Sequence, residues 1–355
     1  MTRRSSRTPP GAPGALLVNL GTPDAPRTPE VRRYLREFLS DPYVLDMPAP
    51  GRFLLLYGII LPLRPARSAE AYRKIWTDRG SPLMVHSLDL LEAVRAELEP
   101  DTPVELAMRY GNPSIATGLR ALRRRGVWHV TALPLYPQYA ASTTDSVAVE
   151  LAAAVAREDT AQDIVCLPPF YDDPGFIRAF ADVGRPVLGS AKPDHVLMSY
   201  HGLPERQILK GDPGGAHCLK TESCCRAISS VNARCYRAQC YATSRLLAEA
   251  LDLAPGEYTV SFQSRLGRTP WIRPYTDQML AELARRGVRR LAVLCPSFVA
   301  DCLETLEELG IRGREQFLAA GGEAFTLVPS LNAHPTWVRT VAGLLRAGVR
   351  EGVHA

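Results

Sequence analysis

The same strand-and-turn signal is written twice along this chain. Leu17-Val18-Asn19-Leu20-Gly21 in the first half is answered by Leu197-Met198-Ser199-Tyr200-His201-Gly202 in the second. Val104 to Tyr110 is answered by Tyr258 to Arg265. Arg124-Arg125-Gly126-Val127 is answered by Arg285-Arg286-Gly287-Val288, and each of these leads into a further apolar run. An internal repeat of this kind restricts the fold more than composition does. It predicts an α/β protein of two similar strand–helix domains facing each other across a cleft. The domains read as 13–185 and 186–346, the second starting near Pro186. Residues 1–12, rich in Arg, Ser and Pro, read as a disordered N-terminus.

Length and composition agree with that plan. The chain has 355 residues and 46% hydrophobic content, enough for two domains or one bilobal unit. Its formal net charge of +5 is a mild excess without a dense Lys/Arg tract or zinc-finger spacing, so no nucleic-acid partner is expected. The N-terminus lacks the apolar core of a signal peptide. The longest apolar run, Phe53 to Leu63, is about half of a membrane span. A cytoplasmic protein fits, either soluble or touching the inner membrane from the side. The sequence carries no signal for an oligomeric state.

The first buried strand reads as Gly14 to Leu20, and Gly21-Thr22-Pro23 after it is no dinucleotide fingerprint. A helix is expected over Pro29 to Leu39 with Thr28 as its cap. Further strands are expected over 104–108, 127–135 and 163–168. Residues 50–66 form an apolar run broken by Gly and Pro and flanked by Arg. That run is either a buried connector or an exposed lip for a flat apolar ligand or a membrane surface. In the basic, aromatic stretch from Tyr72 to Trp76, Arg73 or Lys74 either neutralises a ligand carboxylate or belongs to a solvated face.

Four strand-end loops converge on the expected cleft: those around Tyr110, from Tyr136 to Thr144, at Tyr200-His201, and from Ser297 to Glu304. His201 closes an apolar strand, and Gly202 and Pro204 turn the chain behind it. Such a histidine either ties down a turn or accepts, donates or ligates in the crevice. In Asp301 to Leu309, a helix is expected from about Asp301, with Leu303, Leu306 and Leu309 as its buried stripe. Asp301, Glu304 and Glu308 would then form an acidic ridge that handles a cation or accepts protons. Nucleophile elbow, Walker loop and His-Glu-x-x-His pair are all missing. One histidine, an acidic ridge, hydroxyls and many aromatics suit a large, flat, mainly apolar ligand with a polar event at its centre.

Five of the eight cysteines crowd into residues 218–240: Cys218, Cys224, Cys225, Cys235 and Cys240. Stable disulfides are not expected in a cytoplasmic chain, so the crowding points to metal or an iron–sulfur cluster.

Ser199-Tyr200-His201-Gly202-Leu203-Pro204 resembles the signature of the ferrochelatase family. Leu135-Tyr136-Pro137-Gln138-Tyr139 with Ser142-Thr143-Thr144, Gln263-Ser264-Arg265 with Pro270-Trp271, and the segment Asp301 to Leu309 are similar to further motifs of that family, in order, over roughly residues 14 to 345. The resemblance implies two Rossmann-like domains around a porphyrin cleft, with ferrous iron and protoporphyrin as substrates and two protons released. It implies that His201 takes pyrrole protons or helps hold the iron, with Glu304 across the macrocycle and Asp301 and Glu308 on a proton or metal path. Arg73, Arg109, Tyr110, Tyr136 and Ser142 match positions near the macrocycle or its propionates, and Trp271 matches a pocket aromatic. Residues 50–66 match the lip where porphyrin enters.

Two positions depart from the pattern. Cys302 stands where many relatives carry histidine, either as a softer metal ligand or as a small buried residue. Leu20 stands where relatives that metallate coproporphyrin carry a tyrosine, which tilts the substrate towards protoporphyrin. The cysteine block resembles the internal two-iron, two-sulfur (2Fe-2S) site of some bacterial members, held by four of the five thiols, with structural zinc as the alternative. Outside this reading stand a tetrapyrrole carrier without chemistry, a coproporphyrin ferrochelatase, and a chelatase for cobalt or nickel.

Overall fold

A computed structural model describes residues 13–99, 102–158, 162–267 and 269–353. The expected disorder of residues 1–12 lies outside that range. Two four-stranded parallel sheets carry the chain. The first is built from β1 (Pro13–Asn19), β2 (Val104–Met108), β3 (His129–Pro134) and β4 (Asp163–Cys166) in the order β2-β1-β3-β4. The second is built from β5 (His195–His201), β6 (Tyr258–Gln263), β7 (Arg290–Leu294) and β8 (Ala324–Leu327) in the order β6-β5-β7-β8. The spatial order of the second sheet is that of the first. The repeat is therefore one of topology as well as of motif. β8 gave no sequence signal because it is a four-residue edge strand with no fully buried position.

In the first half the helices are α1 (Thr28–Ser40), α2 (Ala49–Leu55), α3 (Leu61–Ile75), α4 (Pro82–Glu97), α5 (Ile115–Arg124) and α6 (Ser146–Arg157). They are followed by α7 (Pro174–Ala191), α8 (Glu205–Lys210), α9 (Tyr236–Ala250), α10 (Thr276–Arg285), α11 (Arg314–Ala319) and α12 (Pro335–Val353). The repeated Arg-Gly-Val ends α5 and α10 in the same way. Val127 N–H reaches Leu122 O and Gly126 N–H reaches Arg123 O; Val288 and Gly287 do the same with Leu283 and Ala284. Both glycines take the left-handed φ, +78° and +95°, that this helix stop requires.

α7 runs unbroken through Pro186, so the chain passes between the sheets along a helix and not through a loop. α12 comes after β8 but packs on α4, α7, β1 and β3 of the first half. Leu17, Met108 and Leu133 therefore share one apolar core with Met198, Leu294, Phe176, Phe180 and Trp337. Asp46, on the loop before α2, ties the halves again through Arg206 at 2.5 Å and Lys210 at 2.8 Å.

Thr28 is not the cap of α1. Val31 N–H already reaches Arg27 O at 3.0 Å, so the first turn closes one residue earlier, with Arg27 at the cap. Residues 50–66 are not broken by Gly and Pro either. A π-helical turn, Leu56–Ile60, joins α2 to α3 and contains Gly58. Pro62 and Pro65 then both lie within α3, and the helix runs on through them. One face of this hairpin-free rod is core: Leu56, Ile60 and Leu61 pack with Leu39. The other face exposes Phe53, Leu54, Tyr57, Ile59 and Leu63.

Candidate active site at the cleft between the sheets

In each sheet the chain reverses its direction of travel beside the first strand. The crevice of an open parallel sheet lies at that switch point, beyond the carboxyl ends. At the first sheet this brings Leu20 after β1 together with Tyr136 after β3. At the second it brings His201 at the end of β5 together with Ser297 and Phe298 after β7.

His201 is held at every backbone polar group. Its N–H donates to Ser297 Oγ at 3.2 Å, and its carbonyl accepts from the Tyr236 hydroxyl at 2.8 Å. Its Nδ1 lies 2.6 Å from the Gly202 carbonyl. A carbonyl only accepts, so Nδ1 carries a proton, and Nε2 is the ring nitrogen left to meet a ligand. The rings of Trp271 and Phe298 flank the imidazole at 6.5 Å and 6.4 Å. Gly202 has no room for a Cβ, which would lie 2.7 Å from Gln263 O and 3.2 Å from Trp271 Cε3.

The acidic segment is not the α-helix expected from Asp301. It is a π-helix over Glu304–Gly313, and the acids do different jobs. Asp301 is buried and satisfied: Oδ1 accepts from Thr305 Oγ1 at 3.0 Å and Ser330 N–H at 3.3 Å, and Oδ2 from Asn332 Nδ2 at 2.9 Å. It brackets the loop and stands apart from the ridge. Glu307 is also buried, paired with Arg312 at 2.8 Å and Lys74 at 3.5 Å. Glu304 and Glu308 stay half-buried, and Leu309 is the fully buried member of the expected leucine stripe.

Glu308 accepts from Ser264 N–H at 2.8 Å and Ser264 Oγ at 2.6 Å. Burial pushes its pKa up, the Ser264 bonds and His201 pull it down, and the Glu304 charge pushes it up again. Gln263 Nε2 fixes the Glu304 carbonyl at 2.9 Å. Burial, then the Glu304 charge, raise the Cys302 thiol, whose side chain touches that carboxylate.

On the first-sheet side, the Tyr136 hydroxyl is buried with no hydrogen-bond partner, and burial raises its pKa. Leu20 and Ser142 are half-buried, Ser142 on a π-turn over Ala141–Asp145. Arg73 is exposed and makes one bond, to Ala69 O of its own helix at 3.3 Å. Arg109 and Tyr110 depart from the expectation of a ligand-facing pair. Arg109 Nη2 bonds Asp41 Oδ2 at 2.6 Å and its Nε bonds Ser146 Oγ at 2.8 Å. The Tyr110 hydroxyl donates to the same Asp41 oxygen at 2.8 Å. Their polar atoms hold the loops of the first sheet to one another. Asp41 and Tyr236 were not singled out from the sequence, and Ser264 entered only within the Gln263-Ser264-Arg265 motif; its left-handed φ of +65° has no composition signal.

The five clustered cysteines are free and buried. Cys218 and Cys225 each contact the Cys235 thiol, and Cys224 Sγ lies 3.6 Å from Cys225 Sγ. Arg237 Nη1 points at Cys225 Sγ from 3.1 Å. Burial raises the thiols of Cys218, Cys224 and Cys240, and the Cys235 contact raises Cys225. The five thiols are thus buried close to one another, with an N–H donor from Arg237 at Cys225. Among the described residues, however, no three His, Cys, Asp or Glu side chains are arranged as a ready metal-holding set.

Solved structures similar to this fold include the chelatase SirB from Bacillus subtilis with Fe3+, with a TM-score of 0.54 and 14% identity over 95% of this chain and 96% of that one. The sirohydrochlorin chelatase SirB from the subspecies spizizenii, in complex with cobalt, matches with a TM-score of 0.52 and 13% identity, over 96% and 95% of the two chains. The pattern of the ferrochelatase family matches residues 12–349. A ferrochelatase of Ectopseudomonas mendocina is 53% identical over 324 residues, 91% of this chain and 94% of the relative. One from Azotobacter vinelandii is 52% identical over 332 residues, 93% and 97% of the two chains. With that identity sustained over nearly the whole length of both sequences, the chain belongs to the ferrochelatase family.

Proposed function

We propose that the protein inserts ferrous iron into protoporphyrin IX, releasing two protons, with His201 and the Glu304–Glu308 pair at the reacting centre. The observation that carries this reading is the bond from His201 Nδ1–H to Gly202 O, which leaves Nε2 as the ring nitrogen for a ligand, between the rings of Trp271 and Phe298. A free-base porphyrin holds two N–H protons, and iron forms its bonds to all four ring nitrogens only as both leave. Nε2 accepts one proton. Glu308, with its proton affinity raised by burial, carries protons away, and the Glu304 carboxylate attracts the dication. Trp271 and Phe298 supply apolar wall against the macrocycle. The unpartnered Tyr136 hydroxyl and Ser142 are polar contacts for it, and exposed Arg73 suits a propionate. Arg109 and Tyr110 act behind this surface, through Asp41 and Ser146.

Leu20 offers no oxygen donor to iron at the first-sheet crevice, which favours protoporphyrin over coproporphyrin. Steady-state insertion of ferrous iron into the two porphyrins tests both points. Faster turnover of protoporphyrin is expected. Binding without product would leave a carrier, and preference for coproporphyrin would overturn the Leu20 argument.

The exposed face of α2, the π-turn and α3 is proposed as the porphyrin lip and as a site of peripheral membrane contact. No helix among the described residues is long and apolar enough to cross a membrane. The thiol pocket is proposed to hold a 2Fe-2S cluster through four of Cys218, Cys224, Cys225, Cys235 and Cys240. The buried all-sulfur chemistry supports it. A coloured protein after anaerobic purification is expected; a colourless one containing zinc would replace the cluster by a structural zinc site.

A further inference from the structure

We propose that Tyr236 is a positioning residue that couples the thiol pocket to His201. The inference rests on the reading of His201 as a reacting group. α9 begins at Tyr236, directly after Cys235, and its first turns carry side chains that reach in three directions. The Tyr236 hydroxyl, on a buried side chain, donates to His201 O at 2.8 Å. Cys240 follows four residues on, one turn along the same helix, so its thiol lies on the face that carries Tyr236. Ser297 Oγ in turn accepts the His201 N–H. Both backbone polar groups of His201 thus end on side chains, and one of these is carried by the helix start that also bears Cys235 and Cys240.

The next residues fasten the same turn elsewhere. Arg237 Nη1 donates to Cys225 Sγ at 3.1 Å and sits 3.9 Å from Cys224 Sγ. Gln239 Oε1 accepts from Tyr139 N–H at 2.6 Å, while its Nε2 donates to Ala233 O at 2.7 Å. Arg234 donates to the Tyr139 hydroxyl at 2.7 Å. The start of α9 is therefore a joint between the thiols, the strand end bearing His201 and the first-sheet loop that leads to Ser142. Packed groups of this kind have discrete arrangements and do not deform continuously. Any rearrangement of the thiols that moves Cys235 or Cys240 moves the Tyr236 hydroxyl, and with it the His201 carbonyl. Linkage requires the reverse: porphyrin in the cleft must alter the opening of the thiol pocket.

The test uses the full-length protein as purified. Iodoacetamide alkylation of the five pocket cysteines is followed by mass spectrometry with and without free-base protoporphyrin. In the wild type, porphyrin is expected to slow alkylation about threefold or more, within the usual span of coupling between sites. In Tyr236→Phe the rates are expected to be the same with and without porphyrin. In iron insertion, kcat of Tyr236→Phe should fall about fivefold, the scale of one lost hydrogen bond, with KM for porphyrin unchanged. Ser297→Ala separates this role from general loosening: it should lower kcat and keep the porphyrin protection. Equal protection in wild type and Tyr236→Phe overturns the proposal, as does loss of protection in Ser297→Ala. The reading of His201 fails on a different result, near-normal turnover by His201→Ala, which leaves the alkylation experiment untouched.

Discussion

Ser264 holds Glu308 by both carboxylate oxygens, its N–H 2.8 Å from Oε1 and its hydroxyl 2.6 Å from Oε2. Two donors would ordinarily lower a carboxyl pKa, yet burial and the Glu304 charge outweigh them and raise it. The folded protein therefore binds this proton more tightly than the unfolded chain does. The stability that comes with it is complete below the unfolded value and is lost as pH rises through the folded one. Glu308→Gln mimics the protonated form. Its Tm should exceed that of the wild type by about 2 °C at pH 7 to 8 and converge with it towards pH 4. Iron insertion should fall at the same time, because the amide accepts no proton. Thermal scans across pH, with turnover beside them, check both; a variant less stable at pH 8 would contradict the sign.

His201→Ala should reduce iron insertion at least about a hundredfold, the usual worth of a positioned proton acceptor. Porphyrin binding, read by fluorescence quenching, should change less than threefold, since Trp271, Phe298 and Tyr136 keep the wall. Turnover near that of the wild type would remove the role given to this residue.

Asp41 Oδ2 accepts from Arg109, Tyr110 and Ser146 together. Asp41→Asn leaves the Arg109 guanidinium half-buried without its counter-charge, a change of about 3 kcal/mol in destabilisation. Urea denaturation should show that loss, and activity at temperatures below the transition should stay within a fewfold of the wild type. A stable but inactive variant would instead place Arg109 against the substrate.

The parts of this molecule that were legible in the sequence are those fixed by local pattern. β5, ending in His201, and the paired Arg-Gly-Val ahead of a strand were readable because apolar runs, glycines and prolines act within a few residues; that each also stops a helix was not read. What was not legible depends on contacts between distant segments. Asp301, Glu304, Glu307 and Glu308 look alike in a sequence, and only Thr305, Asn332, Lys74 and Ser264 decide which is a bracket, which is paired and which faces the cleft. The π-helix that carries Glu304, Glu307 and Glu308 follows α-helical spacing closely enough to pass for an α-helix. The bond from Arg109 to Asp41 was illegible for the same reason: the two are 68 positions apart.

The lip offers the last test. Leu54 and Leu63 are 72% and 71% exposed, while Leu56, Ile60 and Leu61 on the opposite face anchor the segment to the core. Arg52, Arg64 and Arg67 lie along the same segment. An apolar face with flanking arginines is suited to anionic lipid, where each leucine entering the acyl boundary contributes up to about 1.5–3 kcal/mol. Leu54→Asp combined with Leu63→Asp should weaken sedimentation with anionic vesicles at least about tenfold. It should leave Tm within about 1 °C, because surface substitutions of this kind rarely move stability. Insertion into vesicle-bound porphyrin should drop in step with binding. Unchanged vesicle binding would show that this face serves the porphyrin alone and meets no membrane.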